Sequence, residues 1–191
     1  MKLQIQESTE LQESEKDLLK LIINQRLSDL RFKYGAFFNV DAGKWSIGTQ
    51  EVVLVFENHS IQIFNHYHES KYYTGLQYLL IRESPSQCDY LTHFKDSSFD
   101  HEILAVELWG HNYVEDWDID RIKHHISKGE INVEVERVDN LISSQHILRI
   151  VLSDSSSIVI RSDSPNLIII NCYSKDDTEH FLGDYYFWQK I

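Results

Sequence analysis

Two histidines stand where a metal could be held. His66 and His68, in the stretch NHYHES, are two residues apart. On a β-strand that spacing puts both imidazoles on one face, where they could share an ion. Glu69 would alternate away from them, and no third ligand follows at a cupin-like distance. Other motifs break off early. His101-Glu102 opens like the zinc-protease pattern HExxH, but Ala105 stands in the second histidine's place. Asp116, Asp118 and Asp120 open like a calcium loop, yet Arg121 replaces the required glycine and Ser127 the closing glutamate. Ser46 in GKWSIG lacks the GxSxG spacing of a nucleophile elbow. Seven scattered glycines make no phosphate-binding loop. No catalytic residue and no cofactor is assigned, although 30 acidic residues leave a glycosidase-type carboxylate pair open.

The stretch Glu107–Asp120, read as ELWGHNYVEDWDID, has the composition of a binding surface. Trp109, Tyr113 and Trp117 are interleaved with Glu107, Glu115, Asp116, Asp118 and Asp120. Aromatic side chains anchor interfaces, and an acidic rim steers a basic partner. The expected partner-binding residues are therefore Trp109, Tyr113, Glu115, Asp116, Trp117, Asp118 and Asp120. The competing reading is a strand with core tryptophans and solvated acids.

Charge sharpens that expectation. The 191 residues carry a formal net charge of −12. Phosphate backbones would repel such a chain, which disfavours nucleic acid as a partner. A basic protein would meet it faster. No apolar run approaches the roughly 20 residues that span a bilayer. The opening MKLQIQESTELQESEK lacks the pattern of a secretion signal, so a cytoplasmic location is expected. Cys88 and Cys172 have no CxxC context and read as free thiols, Cys172 buried in LIIINCY.

The elements that must position these residues are mostly strands. Ser14 to Leu27 reads as an amphipathic helix, with Ser14 and Asp17 at its start and a stripe of Leu19, Ile23, Leu27 and Leu30. Val52–Phe64 and Arg149–Arg161 each read as a hairpin, with turns expected at Asn58–His59 and Ser155–Ser156. The first should be covered on both faces; the second should be partly solvated on one. Ile119–Ser127 reads as a short helix closed by Gly129, and Phe181–Trp188 as an aromatic closing segment. The expected fold is α+β, mainly antiparallel β, with two related β-hairpin units in one compact domain and the N-terminal helix packed on the sheet. Along 1–191 this gives a helix at 14–30, a first β unit at 32–82, an insertion at 83–128 and a second β unit at 129–191.

The paired stretches VVLVFENHSIQIFN and RIVLSDSSSIVIRS resemble those of small acidic bacterial proteins with duplicated β-hairpins, including toxin-immunity proteins. That resemblance implies a protein that binds and blocks a basic toxin without catalysis. A non-enzymatic protein-binding module is thus the leading expectation. The alternatives are a metal- or small-ligand-binding β protein using His66 and His68, and an oligomerising β module.

Overall fold

The computed structural model describes residues 7–41, 44–68, 76–84, 91–113, 124, 127–129, 142–164, 167–183 and 185–191. The fold is α+β and mainly antiparallel. Its strands are β1 (Glu7–Thr9), β2 (Asp29–Asp41), β3 (Lys44–Val55), β4 (Ser60–His68), β5 (Leu76–Glu83), β6 (Thr92–Phe94), β7 (Ile103–Tyr113), β8 (Ile142–Leu152), β9 (Ser157–Ser164), β10 (Leu167–Tyr173) and β11 (Tyr186–Lys190). Helix α1 spans Glu13–Leu21, helix α2 spans Lys175–Leu182, and a 3₁₀ turn covers Ser97–Asp100.

Two long strands organise the sheet. Strand β3 pairs with β2 along one edge. Its other edge serves two partners in succession: β10 along Ser46–Thr49, then β4 along Glu51–Val55. Strand β8 does the same, with β7 on one edge. Its opposite edge takes β1 in parallel along Ile142–Ser144 and β9 along Ile147–Val151. Each changeover lets the sheet divide and fold across itself, so that β5 packs over β8 and β9. The core fills the space between. Val52, Leu54, Ile61 and Ile63 join Leu148, Ile150, Ile158 and Ile160 in one cluster, all at 1% exposure or less. Each such side chain contributes roughly 1.5–3 kcal/mol by leaving water.

Helix α1 is shorter than the apolar stripe suggested. It ends at Leu21, Asn24 enters the left-handed region at φ 65, and Arg26 bridges Glu102 in extended chain. Leu27 and Leu30 are still buried, but from a loop and from β2. The helix also starts earlier than Ser14: the Glu15 carboxylate caps it by accepting the Gln12 amide at 2.7 Å. Leu19 and Ile22 lie fully buried in the core.

The first hairpin keeps its faces and shifts its turn. Val55 pairs with Ser60 and Leu54 with Ile61. The Phe56 amide donates to the His59 carbonyl at 2.9 Å, so Glu57 and Asn58 form the turn, one residue earlier than expected. Asn58 is not in the left-handed region. The His59 ring lies over buried Phe56, centroids 5.0 Å apart, which holds that pair inside the hairpin. On the opposite face Val53 packs against Leu91.

The second hairpin turns through Ser153, Asp154 and Ser155. The Ser155 amide donates to the Leu152 carbonyl, the Leu152 amide donates to the Ser156 carbonyl, and Ser155 has φ 72. This is the three-residue loop that ends in a left-handed residue. Its outer face is drier than expected, because α2 covers it: Ile147, Val159 and Leu182 are buried together, with Trp109, Tyr173, Phe181 and Tyr185 around them. The sequence signal for α2 was Ser174 followed by Asp177, a serine-x-x-acid start. The Ser174 hydroxyl accepts the Asp177 amide at 3.3 Å.

Strand β7, inside the span read as an insertion, is a full member of the sheet, flanked by β8 and β11. The Lys128 amide donates to the His124 carbonyl at 3.1 Å and Gly129 has φ +72, while most of the stretch read as a short helix, Ile119–Ser127, lies outside the described residues.

Candidate functional site

Of the proposed partner-binding residues, Trp109 is described in full. It is half-buried on β7, and its Nε1 donates to Glu107 Oε2 at 3.2 Å. The same carboxylate oxygen accepts from Arg149 Nη1 at 3.1 Å. Phe187 of β11, directly opposite in register and 52% exposed, meets the indole edge-to-face with centroids 5.3 Å apart. Glu107 is thus held by an indole and a guanidinium, and the aromatic pair stands at the outer end of the sheet. Tyr113 is the last residue of β7, paired with Ile142. Glu115, Asp116, Trp117, Asp118 and Asp120 lie outside the described residues.

The two candidate metal ligands occupy alternate positions of β4, His66 opposite Tyr78 and His68 opposite Leu76. His66 is exposed and meets the Tyr78 ring edge-on at 5.1 Å. Among the described residues no group of three or more His, Cys, Asp or Glu side chains is placed to hold a metal.

A second site was invisible in the sequence because four separate segments build it. A cleft of about 290 Å³ opens at one end of the sheet. The 3₁₀ turn supplies Asp96, Ser97 and Ser98, with His101 just after it. The β8–β9 loop supplies Asp154 and Ser156. The end of β10 supplies Cys172 and Tyr173, with Ser174 capping α2, and Lys44 opens β3.

Both carboxylates are fixed through one oxygen. Asp96 Oδ1 accepts the Ser98 amide at 2.9 Å. Asp154 Oδ1 accepts the Ser156 amide at 3.0 Å and its hydroxyl at 2.6 Å. His101 Nε2 lies 3.3 Å from Asp154 Oδ2. Burial works to raise the Asp154 pKa, but the Ser156 hydrogen bonds and the nearby His101 outweigh it, so the group sits below the usual carboxylate range. Lys44 is tied down by Asp177 at 2.7 Å, a hydrogen bond that raises the lysine pKa and lowers that of the aspartate.

Cys172 is free and buried, and its pKa is pushed up to about 11. Burial is the main cause, and the charges of Asp96 and Asp154 add to it. The Ser98 hydroxyl favours the thiolate from alongside, without making a well-formed hydrogen bond to it. A thiol this reluctant to ionise is a poor nucleophile near neutral pH. The thiol lining the cleft therefore stays protonated near neutral pH.

Comparison with protein-family models, with curated proteins and with solved structures finds no match to this chain.

Proposed function

We propose that this protein is a non-enzymatic protein-binding module whose partner is basic, and more specifically an immunity-type inhibitor of a basic toxin domain. The observation that carries this reading is the aromatic pair Trp109–Phe187, with exposed Phe187 packed on an indole that Glu107 holds in place. Trp109 lies on β7, the strand that leads into the acidic stretch ending at Asp120, and Phe187 on the neighbouring β11. An oriented indole costs little further ordering on binding, and such residues are frequent interface anchors. The net charge of −12 supplies long-range attraction for a basic surface.

In the same reading, β3–β4 and β8–β9 are two related β-hairpin units that form the rigid frame, and the partner meets the strands added beside the second. A tagged full-length chain should recover a basic protein from its native host, encoded next to it. Trp109→Ala should weaken that complex by about 2 kcal/mol or more, roughly 30-fold. Recovery of no basic partner, or a folded Trp109→Ala variant that binds unchanged, would refute the assignment.

A further inference from the structure

We propose that the outer edge of β2 at residues 37–41 is where two copies of this chain pair, strand against antiparallel strand, as a two-fold dimer. Strand β6 covers this edge only beside Leu30, Arg31 and Phe32, and among the described residues no strand takes its place along the rest of β2. The side chains show the difference. Phe32, beside β6, is 1% exposed, whereas Phe37, Phe38 and Val40 are 39%, 42% and 55% exposed. The register shifts between Phe32 and Phe37 end before this stretch, so 37–41 runs in even register with β3. From 34 to 40 the sequence has no charged residue and no proline, the residues that usually keep a strand edge from pairing.

The stretch fits a second copy of itself. With the two-fold axis at Asn39, Phe38 stands opposite Val40 of the second copy, and Val40 opposite its Phe38. Alternation puts both on the core face. There the Phe38 ring meets Phe32 at 5.8 Å and Phe94 at 5.3 Å between centroids, and Val40 pairs with buried Trp45. The dimer carries the aromatic cluster of each copy across the axis through two apolar cross-strand pairs, the unit that stabilises a sheet. On the other face Asn39 meets Asn39, and Asp41 comes opposite Phe37 rather than opposite another acid. A basic protein drawn by the net charge of −12 finds no acid between 34 and 40, while a second acidic copy meets no repulsion there.

The test is sedimentation velocity of the full chain from roughly 1 to 200 μM, since so small an interface should have a dissociation constant on the order of 10 μM. Added salt should tighten the dimer, because it screens the repulsion between two chains of charge −12 and spares apolar pairs. Val40→Lys places a lysine on the edge and should weaken the dimer at least tenfold, with the circular dichroism and thermal midpoint of the parent. Leu104→Lys, at a site 52% exposed on β7, should leave dimerisation unchanged. Opposed residues of antiparallel strands lie about 4.5–5.5 Å apart, within reach of a disulfide. Asn39→Cys should therefore cross-link two copies under mild oxidation, above the level seen in the parent, and this holds as a test even where Val40→Lys fails to fold. A monomer throughout the range, a dimer that folded Val40→Lys leaves intact, a dimer weakened by salt, growth beyond two copies, or no cross-link above the parent overturns the proposal. None of these readouts involves Trp109 or Phe187, so this edge and the β7–β11 surface can fail separately.

Discussion

Glu15 and Ile81 are joined across the helix–sheet boundary: Glu15 Oε1 accepts the Ile81 amide at 2.9 Å in a buried contact. The other oxygen of the same carboxylate caps α1 through the Gln12 amide. One side chain thus starts the helix and satisfies a strand amide that β4 does not serve. Glu15→Ala would orphan both donors, at a cost of about 2 kcal/mol. For a chain of this size that lowers the thermal midpoint by roughly 5 °C. Glu15→Gln retains an acceptor for Ile81 and should cost less. Equal midpoints for Glu15→Ala and the parent would disprove the clamp.

Ser155 adopts φ 72, a region that costs an L-residue about 1–2 kcal/mol. Glycine removes that strain and returns part of the gain as unfolded-state entropy. Ser155→Gly should therefore stabilise the protein by about 0.5 kcal/mol in chemical denaturation. A loss of stability would mean that the serine side chain matters more than its backbone.

Gly48 lies under the Phe37 ring, and a Cβ there would come within 2.6 Å of it. Phe37 is 39% exposed and can swing away, at the cost of its packing. Gly48→Ala should destabilise by about 1 kcal/mol in the parent and by almost nothing in a Phe37→Ala background. Additive effects in that double-mutant cycle would show that the contact is not what requires glycine.

Alkaline pH should weaken the fold through Cys172. Its pKa rises from 9.0 to about 11 on folding, so the folded state holds the proton more tightly than the unfolded one. The stabilisation is complete below pH 9 and lost as pH climbs through 11. Stability of the parent minus that of Cys172→Ala, measured by urea melts, should fall across that window. A flat difference would contradict the burial argument.

The acid side is governed in part by Asp154. Its folded pKa lies below the usual aspartate value, so its contribution is present above the unfolded pKa and fades as pH drops through the folded one. The stability gap between the parent and Asp154→Ala should close as the solution is acidified below the ordinary carboxylate range. A gap that stays constant with pH would assign the effect to packing alone.

Much of the fold was legible because alternation sets faces even where it misplaces turns. Val52, Leu54, Ile61 and Ile63 share the buried face that their spacing implied, although the turn moved to Glu57–Asn58. A shift of one residue in both strands preserves parity, so the faces survive. The end of α1 was not legible: Leu27 and Leu30 fit a helical stripe and are buried anyway, from extended chain. On β7, composition singled out Trp109 but not the Phe187 ring that packs on it from β11. The cleft escaped notice because Asp96, Asp154 and Cys172 are distant in sequence and follow no local motif.

Strand β3, from the first third of the chain, shares one edge between β4 and β10, and β10 is made near the end. During synthesis the β3–β4 hairpin can form early, while the stretch Ser46–Thr49 has to wait. That leaves Ile47 beside an unfilled edge until Ile170 emerges to pair with it. Such non-local closure slows folding and lengthens the time for which this edge stays uncovered. Expression at low temperature or with chaperones should therefore raise the yield of this chain more than surface redesign would.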